Sequence, residues 1–197
     1  HDVLLVYEML NLVKLQGYNY NYFTDIVMRR HKGSAILSIL EGYLGKFYDE
    51  YITGQLVKVI SLGGRKRAIQ TILNCYFNLT DKEKILNAFF YDNAIYRIRD
   101  KRYIDQYQRI IEDKENAHRF PLTMQMRGKW HDENTRMILI SYLLSDNEQL
   151  LWCVLNALGY YKNDITVINA LSDFLKLSNK NIEIRKKVKS VLDKINS

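Results

Sequence analysis

Four histidines and two cysteines have the readiest metal or nucleophile chemistry in this 197-residue chain, and their spacing argues against both uses. His1, His31, His118 and His131 are scattered, without the i, i+4 or cysteine-paired spacing by which a helix presents a metal site, so no metal is expected. Cys75 lies among Ile72, Leu73, Tyr76 and Phe77, and Cys153 among Trp152, Val154 and Leu155, which suits small buried hydrophobes. Two thiols so far apart make no disulfide framework, and a reducing, cytoplasmic compartment is the default expectation. The most reactive-looking local set is His131-Asp132-Glu133 beside Trp130. Consecutive residues face different directions on a helix, however, and Asp132 as an N-cap with Glu133 in the first turn accounts for the set. There is no glycine-rich phosphate loop, nucleophile elbow or paired Cys/His signature. No catalytic residue and no cofactor is assigned, and a non-enzymatic role is favoured.

Charge and aromatic content point to binding instead. The formal net charge is +7, while charged residues are 26% of the chain, an ordinary share, so the excess is a bias and not a polybasic tail. The cations fall in short groups: Arg29, Arg30 and Lys32; Arg65, Lys66 and Arg67; Arg97, Arg99, Lys101 and Arg102; Arg185, Lys186, Lys187 and Lys189. Solvated helix faces explain such groups, and so does attraction to phosphate or nucleic acid. Of the fifteen tyrosines, Tyr18, Tyr20 and Tyr22 alternate with asparagines in a polar connector, where aromatic side chains either anchor a partner or pack onto the neighbouring helices.

The elements that must position these residues read as helices throughout. Pro121 is the single proline, glycines number nine, and turn residues are not spaced as a β-sandwich needs. Helices are expected near Val3 to Gln16, from Asp25 to His31, and from Ser34 through Ile36, Leu37, Ile39, Leu40, Tyr43, Leu44 and Phe47. Two more, Gln55 to Ser61 and Lys66 to Phe77, are expected around a turn at Gly63-Gly64. Thr80-Asp81-Lys82-Glu83 and Ser145-Asp146-Asn147-Glu148 both have capping-box form. The apolar run Val3 to Leu15 is broken by Glu8, Asn11 and Lys14 and is too short to span a bilayer. The chain starts at His1-Asp2 and not at a methionine, so a tag remnant or a cut within a longer protein is expected there, and a membrane anchor upstream of His1 is allowed.

A repeat organises the second half. Leu144-Ser145-Asp146 recurs as Leu177-Ser178-Asn179 after 33 residues, with weaker counterparts at Leu79-Thr80-Asp81 and Ile111-Glu112-Asp113. Past the turn, Leu151, Leu155 and Leu158 align with Ile184, Val188 and Val191 at the same offset, one apolar ridge on each helix. The final unit adds a stripe of Ile165, Ile168, Leu171 and Leu175, with Asp164 as its N-cap.

The stretch from Leu177 to Val188, an inter-helix turn followed by an aliphatic-arginine pair at Ile184-Arg185, resembles HEAT-like repeats, with Asn179 in the place of the customary aspartate. The preceding unit keeps Asp146 and Leu151 but has Trp152 where the arginine would stand. The unit before keeps Asp113 and Arg119 but has His118 in the aliphatic place. The resemblance is strongest over 135–197 and extends back to 55; residues 1–54 are read as an irregular or capping part of the same array. It implies an all-α fold, a right-handed α-α superhelix of antiparallel helix pairs used as a scaffold for protein partners, with the motif residues themselves structural. On that basis Arg119, Arg127, Lys129, Arg136 and Arg185, with Trp130 and Trp152, are expected on a mildly basic inner surface facing an acidic protein partner. Tyr18, Tyr20 and Tyr22 are the remaining candidate contacts. Some HEAT-like proteins are similar to DNA glycosylases of the alkylation-repair type, so nucleic-acid binding with base-excision chemistry is the alternative expectation. A membrane-associated protein is the third, and it requires an apolar segment upstream of His1.

Overall fold

A computed structural model describes residues 1–29, 31, 35–63, 66–177 and 181–197. Arg30, Lys32, Ser34, Gly64, Arg65 and the turn Ser178-Asn179-Lys180, all named above, lie outside the described residues, as does the side chain of Leu177. Among the described residues there are twelve α-helices and no strand: α1 Asp2–Leu15, α2 Phe23–Val27, α3 Ala35–Tyr43, α4 Glu50–Leu62, α5 Ile69–Asn78, α6 Asp81–Ile98, α7 Ile104–Glu112, α8 Pro121–Trp130, α9 Glu133–Ser141, α10 Glu148–Leu158, α11 Ile165–Leu177 and α12 Ile182–Asn196. None of them is long and apolar enough to cross a membrane. The chain divides into two compact units, His1–Ile104 and Asp105–Ser197, and residues 54 and 55 fall inside α4.

In the first unit α4 is the hub. It packs on α2, α3 and α6, while α1 packs on α3 and α5 on α6. Leu56, Val57, Val59 and Ile60 of α4 are buried, each such side chain contributing about 1.5–3 kcal/mol. The close approach of α4 to α6 depends on Gly54, where a Cβ would stand 2.5 Å from the Phe90 ring. The helix α3 is shorter than its apolar pattern predicts, because Gly45 takes a left-handed φ of 78° and ends it; Leu44 and Phe47 are still buried beyond the end. The helix predicted from Asp25 to His31 is instead the five-residue α2. Thr80 closes the capping box predicted for it: its Oγ1 accepts from the Glu83 amide at 3.4 Å, and the Glu83 carboxylate accepts from the Thr80 amide at 2.6 Å. Those hydrogen bonds hold the Glu83 carboxyl below the ordinary carboxylate range.

In the second unit helices pack on the helix two places along. The helix α10 lies between α8 and α12, and α9 meets α11. The ridges Leu151-Leu155-Leu158 and Ile184-Val188-Val191 are buried as the repeat predicts. On its other side α10 approaches α8 so closely that a Cβ at Gly128 would stand 2.5 Å from the carbonyl oxygen of Ala157.

Two local expectations are corrected. Ser145 does not cap α10: its hydroxyl accepts from the Asn147 amide at 3.1 Å, and Asn147 is the cap, accepting from the Leu150 amide at 3.1 Å. The buried stripe of α11 is Val167, Leu171 and Phe174. Ile165 is 72% exposed, and Ile168 and Leu175 are only partly covered. Asp164 does cap that helix, its Oδ1 accepting from the Val167 amide at 3.1 Å.

Candidate interaction face

The outward side of α10 carries Glu148 in its first turn, Trp152 and Asn156 at successive turns, and Tyr160 just past the helix. Cations from both flanking helices lie against these rings. The Lys187 ammonium of α12 is 5.5 Å from the centre of the Trp152 ring. Tyr160 receives two: Lys129 of α8 at 5.0 Å and Lys194 of α12 at 4.6 Å. Each contact is within the range where the ring quadrupole attracts a cation, worth about 0.5–1 kcal/mol at such exposure. The pairing has a second cause in the backbone. The carboxyl end of α10 carries the negative end of the helix dipole, and the Lys194 Nζ would sit 3.4 Å from a Cβ at Gly159, the residue that ends the helix. Lys187 and Lys194 are seven residues apart on α12 and so share one side of it.

The arginines expected on this surface are otherwise engaged. Arg127 is 2% exposed. Its Nη2 donates to Gln108 Oε1 at 2.7 Å, to Asp132 Oδ1 at 3.0 Å and to Thr135 Oγ1 at 2.7 Å, and its Nε donates to Thr135 Oγ1 at 2.9 Å. The Thr135 hydroxyl donates to Asp132 Oδ2 at 2.7 Å, and Tyr161 donates to the Asp132 carbonyl at 3.1 Å. This network anchors the end of α8 to the start of α9. Burial lowers the Arg127 pKa, against the opposing pull of Asp132, and raises that of Tyr161, so the pair at the centre is a charged guanidinium and a neutral phenol. Asp132 is the N-cap the sequence predicts, accepting from the Thr135 amide at 2.9 Å.

Arg136 is tied to Asp164 at 2.9 Å and to Glu133 at 3.0 Å. Arg119 is half-buried in the 3-10 turn Ala117–Arg119, its Nε enclosed without a hydrogen-bond partner among the described residues. Burial lowers the pKa of the adjacent His118, and the Arg119 charge adds to the effect. Trp130 is half-buried, with its ring 6.1 Å from that of Tyr107. Arg185 is half-buried in the first turn of α12.

Lys129 and Trp152 are thus the two expected contacts that join the face, while Lys187, Lys194 and Tyr160 complete it. The seven-residue spacing of the two lysines and the position of Tyr160 next to Gly159 are the sequence signals that mark them.

Tyr18, Tyr20 and Tyr22 belong to the first unit and do not act together. Tyr20 is buried, with its ring 5.8 Å from the His31 ring and 5.9 Å from that of Tyr18, and Arg29 covers it at 5.2 Å. Tyr22 is 70% exposed. Among the described residues no three His, Cys, Asp or Glu side chains converge as a metal site, and Cys75 and Cys153 form no disulfide: Cys75 Sγ accepts from the Tyr91 hydroxyl at 3.1 Å and Cys153 Sγ donates to the His118 carbonyl at 3.6 Å.

Compared with known proteins, the chain matches no family model, no curated protein and no solved structure.

Proposed function

We propose that the chain is a non-enzymatic interaction module, a short HEAT-like array of helix pairs whose α8, α10 and α12 face holds an acidic segment of a protein partner. The two-lysine clasp on Tyr160 carries this reading: Lys129 and Lys194 come from different helices to one half-buried ring, at 5.0 and 4.6 Å. A carboxylate reaching that ring meets two ammonium groups, a combination that suits Asp or Glu side chains. Support for the array comes from the packing of α10 on α8 and α12 and of α9 on α11, and from the 33-residue offset of the two buried ridges.

The test is fluorescence anisotropy with a labelled Glu/Asp-rich peptide and a labelled DNA duplex, each at low and moderate salt. The peptide is expected to bind the whole chain, and Lys129→Ala/Lys194→Ala is expected to abolish that binding while costing no more than about 1–2 kcal/mol of stability, so that the variant stays folded at the assay temperature. Duplex binding with a steep salt slope, in the absence of peptide binding, replaces this reading with nucleic-acid recognition.

A further inference from the structure

The helix α6 is apolar on two sides. Its inner side is buried through Ala88, Tyr91, Ala94, Ile95 and Ile98, as the packing on α4 requires. Its outer side is also apolar: Ile85, Leu86 and Phe89 are exposed, Phe89 by 71%. Phe89 lies three residues after Leu86 and four after Ile85, so the three form one apolar patch a single turn long. The Phe89 ring meets that of Phe90 edge-on with centres 5.8 Å apart, and Phe90 lies against Gly54 of α4. An exposed aromatic side chain beside apolar neighbours is suited to anchor a protein contact.

Cations stand at both ends of the ridge. Lys82 lies one turn before it and Arg97 two turns beyond, with Arg99, whose guanidinium covers Tyr96 at 5.7 Å, at the end of the helix. The helix's own carboxylates are engaged elsewhere: Glu83 in the capping box, Asp81 with Lys84 at 3.4 Å, and Asp92 buried. From Lys82 to Arg97 this side of the helix runs about 22 Å, of which the apolar patch occupies about 6 Å.

We propose that this ridge docks an amphipathic helix of another protein whose apolar face carries acidic residues at both ends. A helix fits because the described residues offer no sheet edge to pair with an extended peptide, and a helix brings its backbone hydrogen bonds already made. Helical partners also pack ridge into groove, and a helix laid along this side reaches the apolar patch and the cations at both ends together. A second copy of the chain does not fit. Antiparallel pairing centred on Phe89 and Phe90 would set Lys82 of each copy against Arg97 of the other, like charge on like charge at both ends. The inference concerns the first unit and is independent of the Tyr160 clasp in the second.

Two synthetic helical peptides test it on the whole chain. Both carry leucines at i, i+3, i+4 and i+7; one is flanked by glutamates and the other by lysines. The glutamate peptide is expected to bind, and Phe89→Asp, a change at an exposed position, is expected to weaken it at least about tenfold with no change in the melting curve. Lys82→Glu/Arg97→Glu is expected to reverse the preference toward the lysine peptide. Absence of binding, equal binding of both peptides, or indifference to Phe89→Asp overturns the proposal. So does dimerisation in solution that Phe89→Asp abolishes, or sedimentation with anionic phospholipid vesicles while the peptides are ignored.

Discussion

Asn181, which caps α12, donates its side-chain amide to the carboxylate of Glu148, the first residue of α10, at 2.6 Å. The same side chain accepts, through Oδ1, from the amides of Glu183 and Ile184 at 2.9 and 3.0 Å. One residue therefore starts its own helix and ties it to the corresponding start one repeat earlier. Asn181→Ala is expected to cost about 1 kcal/mol, the usual loss for a cap. Asn181→Asp keeps the cap but places a carboxylate beside Glu148, and is expected to fall between the alanine variant and the parent in urea denaturation. Equal midpoints for all three would remove the cap from the stability of this unit.

The contact between Gly128 and Ala157 makes a sharper prediction. Gly128→Ala pushes a methyl into backbone that cannot swing away, and a loss of about 1–3 kcal/mol is expected. Gly159→Ala is the control. Its new Cβ meets the flexible end of Lys194 at 3.4 Å, so stability is expected to change by less than about 0.5 kcal/mol. Thermal melts of the two variants should differ clearly.

Removing Arg127 breaks an ion pair whose cation is buried and leaves Gln108, Asp132 and Thr135 each without one hydrogen bond. Arg127→Ala is expected to cost about 3–5 kcal/mol, against about 1 kcal/mol or less for Lys129→Ala on the same helix. Guanidinium unfolding distinguishes them, and a mild Arg127→Ala variant would place the guanidinium outside the folded core.

Acid should weaken the second unit through Asp164. Burial raises its pKa, but the hydrogen bond from Arg136 and those from the Val167 and Thr166 amides outweigh that and hold it below the ordinary 3.8. A folded pKa below the unfolded one gives stability that is fully present above about pH 4 and is lost as pH falls through the folded value. Asp164→Asn is expected to be less stable than the parent at pH 7, by about 1 kcal/mol for this partly exposed pair, with the difference closing as pH falls through the folded value. Asp100 in the first unit has the same sign, its pKa drawn down to about 2 by the hydrogen bond from Arg102. A urea midpoint for Asp164→Asn that stays parallel to the parent from pH 7 to pH 2 would contradict the assignment.

The rotated stripe of α11 can be checked with two aspartates. Val167→Asp should unfold the last helix pair, since it buries a charge, whereas Ile165→Asp should change stability by less than about 0.5 kcal/mol. Circular dichroism melts of the two suffice. Leu155→Asp and Val188→Asp, on the facing ridges of α10 and α12, should behave like Val167→Asp.

The sequence made the ridges and most caps legible because both depend on neighbours three or four residues away. Thr80, Asp132 and Asp164 cap where their types and spacing say they should. In α11 the pattern was ambiguous. Ile165, Val167, Ile168, Leu171, Phe174 and Leu175 offer two apolar stripes, and only packing against α9 and α12 chooses between them. Arg127 was illegible for a different reason. An arginine near Lys129 reads as surface, and its burial follows from the convergence of Gln108, Asp132 and Thr135, which no local spacing encodes. The Tyr160 clasp joins residues 129, 160 and 194, so it too exists only once α8, α10 and α12 are side by side.

That side-by-side order also bears on how the second unit comes to be folded. Its packing joins helices two places apart, so the chain need close only loops of about thirty residues to gain each contact, and no pairing of distant ends is required. Low contact order of this kind accompanies rapid folding. The unit can assemble as it lengthens, α10 docking on α8 before α12 is complete, and can complete its interaction face last.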